Sequence, residues 1–158
     1  MERARPPGLI EAIRRYPGLA EPARLPVGDY RAVLLGPAWF RAFATFGLAI
    51  GGLPRWVGKR FRADGGGDNL LRPADGRGAP QAVLPMQLRL AVSPHDGRAV
   101  VRVGYDAAAR FPWPAVVDEL RPFADAGPDA WLGMARSDWR LTRGIAWLRL
   151  PFLLLRAD

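Results

Sequence analysis

The sequence predicts a mainly β protein, an antiparallel up-and-down barrel of about eight strands with one or two short N-terminal helices. Three observations carry that expectation. Beyond residue 53, turn signals rich in Gly, Asp and Pro arrive at short intervals, at 64–68, 75–78, 94–97 and 125–129. The runs between them alternate apolar and polar side chains with a period of two. No regular exchange of helix and strand supports a parallel sheet, and closing a sequential meander removes its exposed edges.

The elements follow in order. Leu9, Ile10, Ile13 and Tyr16 recur at helical spacing, and Pro17-Gly18 supplies a stop, so a short amphipathic helix is expected at 8–16. Residues 17–27 hold three prolines and read as an extended arm. The run from Gly28 to Leu35 has strand composition. Pro37, then Ala38, Trp39, Phe40, Ala42, Phe43, Ala44 and Phe46, predicts a helix near 37–50 that ends in the glycines at 47–52. Its apolar residues lie nearly all round, which predicts cover on most sides.

Strands are then expected at 54–62, 69–73, 81–92, 98–105, 115–123, 130–137 and 145–155. In 81–92, Leu84, Met86, Leu88, Leu90 and Val92 share one face against Gln87 and Arg89, the pattern of a half-buried strand. Val101, Val103 and Tyr105 form the apolar face of the next. The last run is apolar on both faces, with Leu148, Leu150, Phe152 and Leu154 opposite Trp147, Pro151, Leu153 and Leu155, and is expected to be covered on both sides. The organisation expected is one domain over 1–158, with helix and arm in 1–27 and the barrel, including its helix, in 28–158.

Composition removes several chemistries. The 158 residues include no cysteine, which excludes a disulfide scaffold, a thiolate nucleophile and Cys-based metal sites. The single histidine, His95, excludes multi-histidine metal sites, and its place in Pro94-His95-Asp96-Gly97 marks it as a turn residue. No metal and no cofactor are expected. Gly65-Gly66-Gly67 lacks the flanking strand, helix and Gly-Lys-Ser/Thr of a phosphate loop and reads as a hairpin connection. Ser93 and Ser137, the only serines, lie at strand ends.

The net charge is +8, and arginine supplies all of the basic residues except Lys59, a bias of the kind that GC-rich coding produces. The one dense cluster is Arg55, Lys59, Arg60 and Arg62, interleaved with Trp56 and Phe61 as on single-strand nucleic-acid surfaces. Strict alternation puts Arg55, Val57, Lys59 and Phe61 on one face and Trp56, Gly58 and Arg60 on the other, which splits that charge. The start shows no apolar leader core, and the apolar stretch from Val33 to Leu53 is broken by Pro37 and Arg41, so a cytoplasmic protein without a transmembrane helix is expected.

Gly36-Pro-Ala-Trp39, Thr45, Gly47, Leu48, Gly52-Leu53 and Trp56-Val-Gly-Lys-Arg-Phe61, followed by Gly97-Arg98, Tyr105-Asp106, Val117-Asp-Glu-Leu-Arg121, Leu132-Gly133-Met134 and Leu150-Pro-Phe-Leu-Leu-Leu-Arg156, stand in a recognisable order. Over roughly 36–156 the chain resembles a divergent member of the bacterial GXWXG-type proteins, a family of unknown function. The resemblance implies a small calycin-like barrel, similar to lipocalins and fatty-acid-binding proteins, that binds an apolar small molecule. It implies no catalytic residues. The family's Thr-Gly-His-Pro stands here as Thr45-Phe46-Gly47-Leu48, without its histidine.

The function expected is therefore a carrier or sensor of an apolar or amphiphilic, lipid- or fatty-acid-like molecule held inside the barrel. About eight strands leave an interior that side chains either fill or share with one small ligand, and the six tryptophans suit both arrangements. Candidate ligand contacts are Trp56, Arg60, Tyr105, Trp131, Trp147 and Arg149. Arg149 interrupts an apolar strand face, where its planar fork would hold a ligand carboxylate unless its stem lies along the outer wall with the head in water. An alternative is a small cavity enzyme, an isomerase or cyclase of polyketide- or terpene-like substrates. Asp118 is its candidate proton shuttle if desolvated in a cavity, against a plain ion pair with one of the many arginines. A third reading is a basic protein bound to nucleic acid or an anionic membrane.

Overall fold

In the computed structural model, which describes residues 6–137 and 149–157, eight strands run in sequence order round a closed antiparallel barrel. They are β1 (Gly28–Leu34), β2 (Trp56–Phe61), β3 (Gly66–Leu71), β4 (Gln81–Val92), β5 (Ala99–Tyr105), β6 (Val116–Pro122), β7 (Trp131–Ser137) and β8 (Leu150–Arg156). Each pairs with the next, and β8 closes on β1 through a register that sets Ala32 against Leu154 and Leu34 against Phe152. Closure gives every edge N–H and C=O a neighbour. Two helices accompany the barrel: α1 (Leu9–Arg15), continued by a 3-10 turn at Tyr16–Gly18, and α2 (Ala38–Ile50) between β1 and β2.

The period-two faces fold as their chemistry requires. One end of the barrel is packed solid by inward side chains that include Tyr30, Phe61, Met86, Leu88, Trp131 and Leu154. Gly133 makes room for this packing, since a Cβ there would fall 2.3 Å from the Phe152 ring. On the outside, Leu132, Met134 and Leu153 form a second apolar face, covered by Ala12 of α1 and Tyr16 of the 3-10 turn that follows it. β8 is thus buried on both sides, as its two apolar faces demand.

Polar groups fasten α1 to that wall. The Tyr16 hydroxyl donates to the Glu119 carbonyl at 2.8 Å. Arg121, fully buried, donates to the Tyr16 carbonyl at 3.1 Å and grips Asp96 with both terminal nitrogens, at 2.7 and 2.9 Å. The Glu119 carboxylate accepts from Ser93 Oγ and, at 3.3 Å, from Arg136 Nε. Each of these buried charges has an opposite partner, the condition under which burial is tolerated.

Three expectations are corrected. α2 is not covered on most sides: none of its residues is buried, because it lies across the open end of the barrel and only Phe40, Ala44 and Leu48 turn partly inward. In β4 the apolar face is buried only at Met86 and Leu88; Leu90 and Val92 are exposed on this longest of the strands. Strict alternation also fails in β2, where Trp56 faces Leu71 and Gly58 faces Leu70, leaving one extra residue on β2. That bulge lets Trp56 and Lys59 both point inward although an odd number of positions separates them.

Gly58 is what the bulge requires, since a Cβ there would sit 1.9 Å from the Tyr30 carbonyl oxygen on β1. Gly58→Ala should therefore lower stability by about 3 kcal/mol or more by forcing β1 and β2 apart. Gly104→Ala, where a Cβ meets nothing within 4 Å, should stay within about 1 kcal/mol of wild type. Urea titrations of the two variants check this; similar midpoints would remove the steric account of the bulge.

Candidate functional site

The barrel interior divides across its length. Beyond the packed end lies a cavity of about 400 Å³, with walls that include Leu34, Trp56, Val116, Ala135 and Phe152. Phe40, Phe43, Ala44, Gly47 and Leu48 of α2 roof it, and Phe111-Pro112-Trp113 closes one side. Trp113 is fixed there by an indole N–H that donates to the Gly51 carbonyl at 2.7 Å. Small residues at Ala44, Gly47 and Ala135 keep the space open.

At the boundary with the packed half, four strands deliver a cluster of polar groups: Lys59 from β2, Asn69 from β3, Tyr105 from β5 and Asp118 from β6. Lys59 Nζ lies 3.0 Å from Asp118 Oδ2 and donates to Tyr105 Oη at 2.9 Å and to Asn69 Oδ1 at 3.2 Å. The Tyr105 hydroxyl donates to Asp118 Oδ2 at 3.2 Å, and the Trp56 indole donates to Asn69 Oδ1 at 3.0 Å. The ammonium also sits 5.5–5.8 Å from the centres of the Trp56, Tyr105 and Phe152 rings, close enough for cation–π attraction.

The electrostatics follow from this geometry. Burial pulls the Lys59 ammonium down, but the adjacent Asp118 carboxylate and Tyr105 more than offset it and hold the group above its ordinary value. Burial and Asp118 push the Tyr105 phenol up to about 12. All three ammonium protons have acceptors and the amine stays charged, so Lys59 is no amine nucleophile at neutral pH. The cluster is charge-balanced, an ammonium against a carboxylate.

The candidate residues separate. Trp56 and Tyr105 lie on the cavity wall, and Asp118 faces it, paired with the chain's lysine rather than with an arginine. Arg60 is on the outer surface, where Asp29 takes Nε and Nη2 at 2.7 Å each, and Trp131 belongs to the packed end. Arg149 is exposed just before β8 and is absent from the cavity wall. Trp147 lies outside the described residues. The basic cluster does not assemble: Lys59 is internal, Arg60 pairs with Asp29, and Arg62 pairs with Asp68 and Asp64. His95 is an exposed turn residue whose backbone N–H donates to Ser93 Oγ.

Lys59 and Asn69 are the site residues that alternation and motif reading miss. Their signal is rarity: each is the only residue of its type in the chain. Among the described residues no group of three or more His, Asp or Glu could hold a metal ion, and no helix is long and apolar enough to cross a membrane.

No protein-family model and no curated protein matches the chain. The fold is similar to that of a solved structure, the crystal structure of a protein from Thermomonospora curvata, at 21% identity and a TM-score of 0.64, over 92% of this chain and 85% of that one. At that identity the likeness establishes the fold alone.

Lys59→Met leaves the Asp118 carboxylate buried and unpaired and should cost about 3–5 kcal/mol, most of it recovered in Lys59→Met/Asp118→Leu. Denaturant melts of the three proteins test the pairing; equal losses in single and double variants would refute it. Tyr105 adds a pH signature. Its pKa of about 12 in the folded protein exceeds the roughly 10 of an unfolded chain. Its contribution to stability is therefore complete below pH about 10 and is lost as pH rises from there through 12. The phenolate absorbance of wild type minus Tyr105→Phe should appear near the upper value, and a transition at the lower one would place the phenol in bulk water.

Proposed function

We propose that the barrel binds an apolar small molecule carrying one neutral polar group, as a carrier or sensor. The observation that carries this reading is the division of the interior into a packed end and a roofed, mostly apolar cavity with one charge-balanced polar boundary. Such walls with a few fixed polar groups are the usual form of a small-molecule site. The resemblance to the GXWXG-type proteins points the same way.

The chemistry of the boundary narrows the ligand. Asp118 meets Lys59 and Tyr105 through Oδ2, and we assign Oδ1 to a donor on the ligand, such as a hydroxyl. A carboxylate head would face Asp118 across a short distance, while the positive charge of Lys59 is already compensated, so the site disfavours a fatty-acid head. A cavity of about 400 Å³ takes about a dozen non-hydrogen atoms at about 30 Å³ each. That suits a compact ring system better than a long acyl chain. Isomerase or cyclase chemistry needs a group free to move a proton. Here the ammonium protons all have acceptors and the Asp118 carboxylate is ion-paired with Lys59, which supports binding over turnover.

1-Naphthol and 1-naphthoate share one apolar body and differ in the head group, and both fluoresce. Titration should show 1:1 binding of naphthol at least tenfold tighter than that of naphthoate. Ala135→Phe, which fills the cavity from β7, should abolish both. Equal or tighter naphthoate binding would overturn the neutral-head assignment, and unchanged binding by Ala135→Phe would place the site elsewhere. Native mass spectrometry followed by denaturing extraction should release a neutral adduct of matching size.

A further inference from the structure

α2 carries an apolar surface that the barrel does not use. Trp39, Phe43, Phe46 and Ile50 recur at i, i+4, i+7 and i+11, which sets them in one stripe along a flank of the helix. They are 71%, 71%, 64% and 61% exposed. The helix turns Phe40, Ala44 and Leu48 toward the barrel, and its remaining outward positions include Ala38, Ala42 and Ala49. Thr45 does not break this surface, because its hydroxyl donates to the Arg41 carbonyl at 2.8 Å within the helix. Thirteen residues of helix thus present one polar head to solvent, that of Arg41.

The charge around this surface has one sign. No acidic residue occurs between Asp29 and Asp64. On the flank opposite the stripe, a groove of about 490 Å³ between α2 and β1 is lined by Arg31, Arg41 and Arg55. All three are exposed, and none has an ion-pair partner among the described residues. Exposed arginines elsewhere are mixed: Arg24 and Arg62 are matched to carboxylates, whereas Arg14, Arg72, Arg77, Arg89 and Arg110 have no ion-pair partner among the described residues. A second copy of the chain, itself at +8, would bring like charges together at this face.

We propose that α2 docks the protein onto anionic phospholipid membranes. The aromatic stripe enters the boundary between headgroups and acyl chains, and Arg31, Arg41 and Arg55 meet lipid phosphates in the groove on the other flank of the helix. Amphipathic helices bind interfaces by this combination of apolar area and cationic attraction, and aromatic side chains favour that depth. Docking does not depend on what the cavity holds. Phe43 nevertheless belongs both to the stripe and to the cavity roof, so the membrane would meet the cavity at its roof.

Flotation of the full chain with large unilamellar vesicles tests this, using phosphatidylcholine alone and phosphatidylcholine with one-third phosphatidylglycerol. Binding should be at least tenfold stronger to the anionic vesicles and should weaken as salt rises. Trp39→Ser/Phe46→Ser, two exposed sites outside the cavity wall, should lower it at least tenfold without altering the urea midpoint or naphthol binding. Arg31→Gln/Arg41→Gln should remove the preference for anionic lipid. Absence of wild-type binding to anionic vesicles, or equal binding by the stripe variant, would overturn the proposal. Self-association that the stripe variant abolishes, with no vesicle binding, would overturn it in favour of a second copy.

Discussion

An ammonium and a carboxylate buried side by side inside a β-barrel set a condition that the remainder of this structure meets. Neither Lys59 nor Asp118 is tolerable there alone. The pair persists because Asn69 and Tyr105 take the other two ammonium protons and three rings surround the charge. Those neighbours arrive from separate strands, so barrel closure and register come first. The bulge in β2 turns Trp56 and Lys59 to the same side, and Gly58 allows it because β1 passes too close for any side chain. The pair in turn divides the interior, since the layer below it is filled by side chains and the layer above is left open.

β6 shows how tightly register is held. It carries Asp118 inward and Glu119 and Arg121 outward, each with its own partners. A slip of one residue would carry Arg121 into the packed end and Leu120 into the polar wall beneath α1. A sheet with polar commitments on both faces of one strand excludes its neighbouring registers more strongly than an apolar alternation can.

Much of the barrel was legible in the sequence because turn clusters and period-two alternation are local signals. The strands expected at 81–92, 98–105 and 130–137 fall within a residue of β4, β5 and β7. What was not legible depends on height along the barrel axis, which strand stagger fixes and no local pattern records. Trp56 and Trp131 read alike as strand tryptophans, yet one borders the cavity and the other is packed beneath it. The bulge left one trace, a glycine inside a strand. α2 misled because apolar residues on every side imply burial for a helix in a core, whereas this helix roofs an opening. The pairing of Asp118 was legible only as far as its need for a cation.

The contact between Lys59 and Asn69 has a meaning in the language of codons. Lysine and asparagine share the two-letter start AA, the part of the genetic code that GC pressure erodes first, and this chain retains one of each. A single A-to-G change converts a lysine codon ending in a purine into one for arginine. At Lys59 that exchange would place a broad planar fork where three acceptors and three rings are arranged about a compact point charge. Geometry at the centre of the barrel thus opposes the substitution that base composition favours, and the chain's one lysine and one asparagine lie within hydrogen-bonding distance of each other.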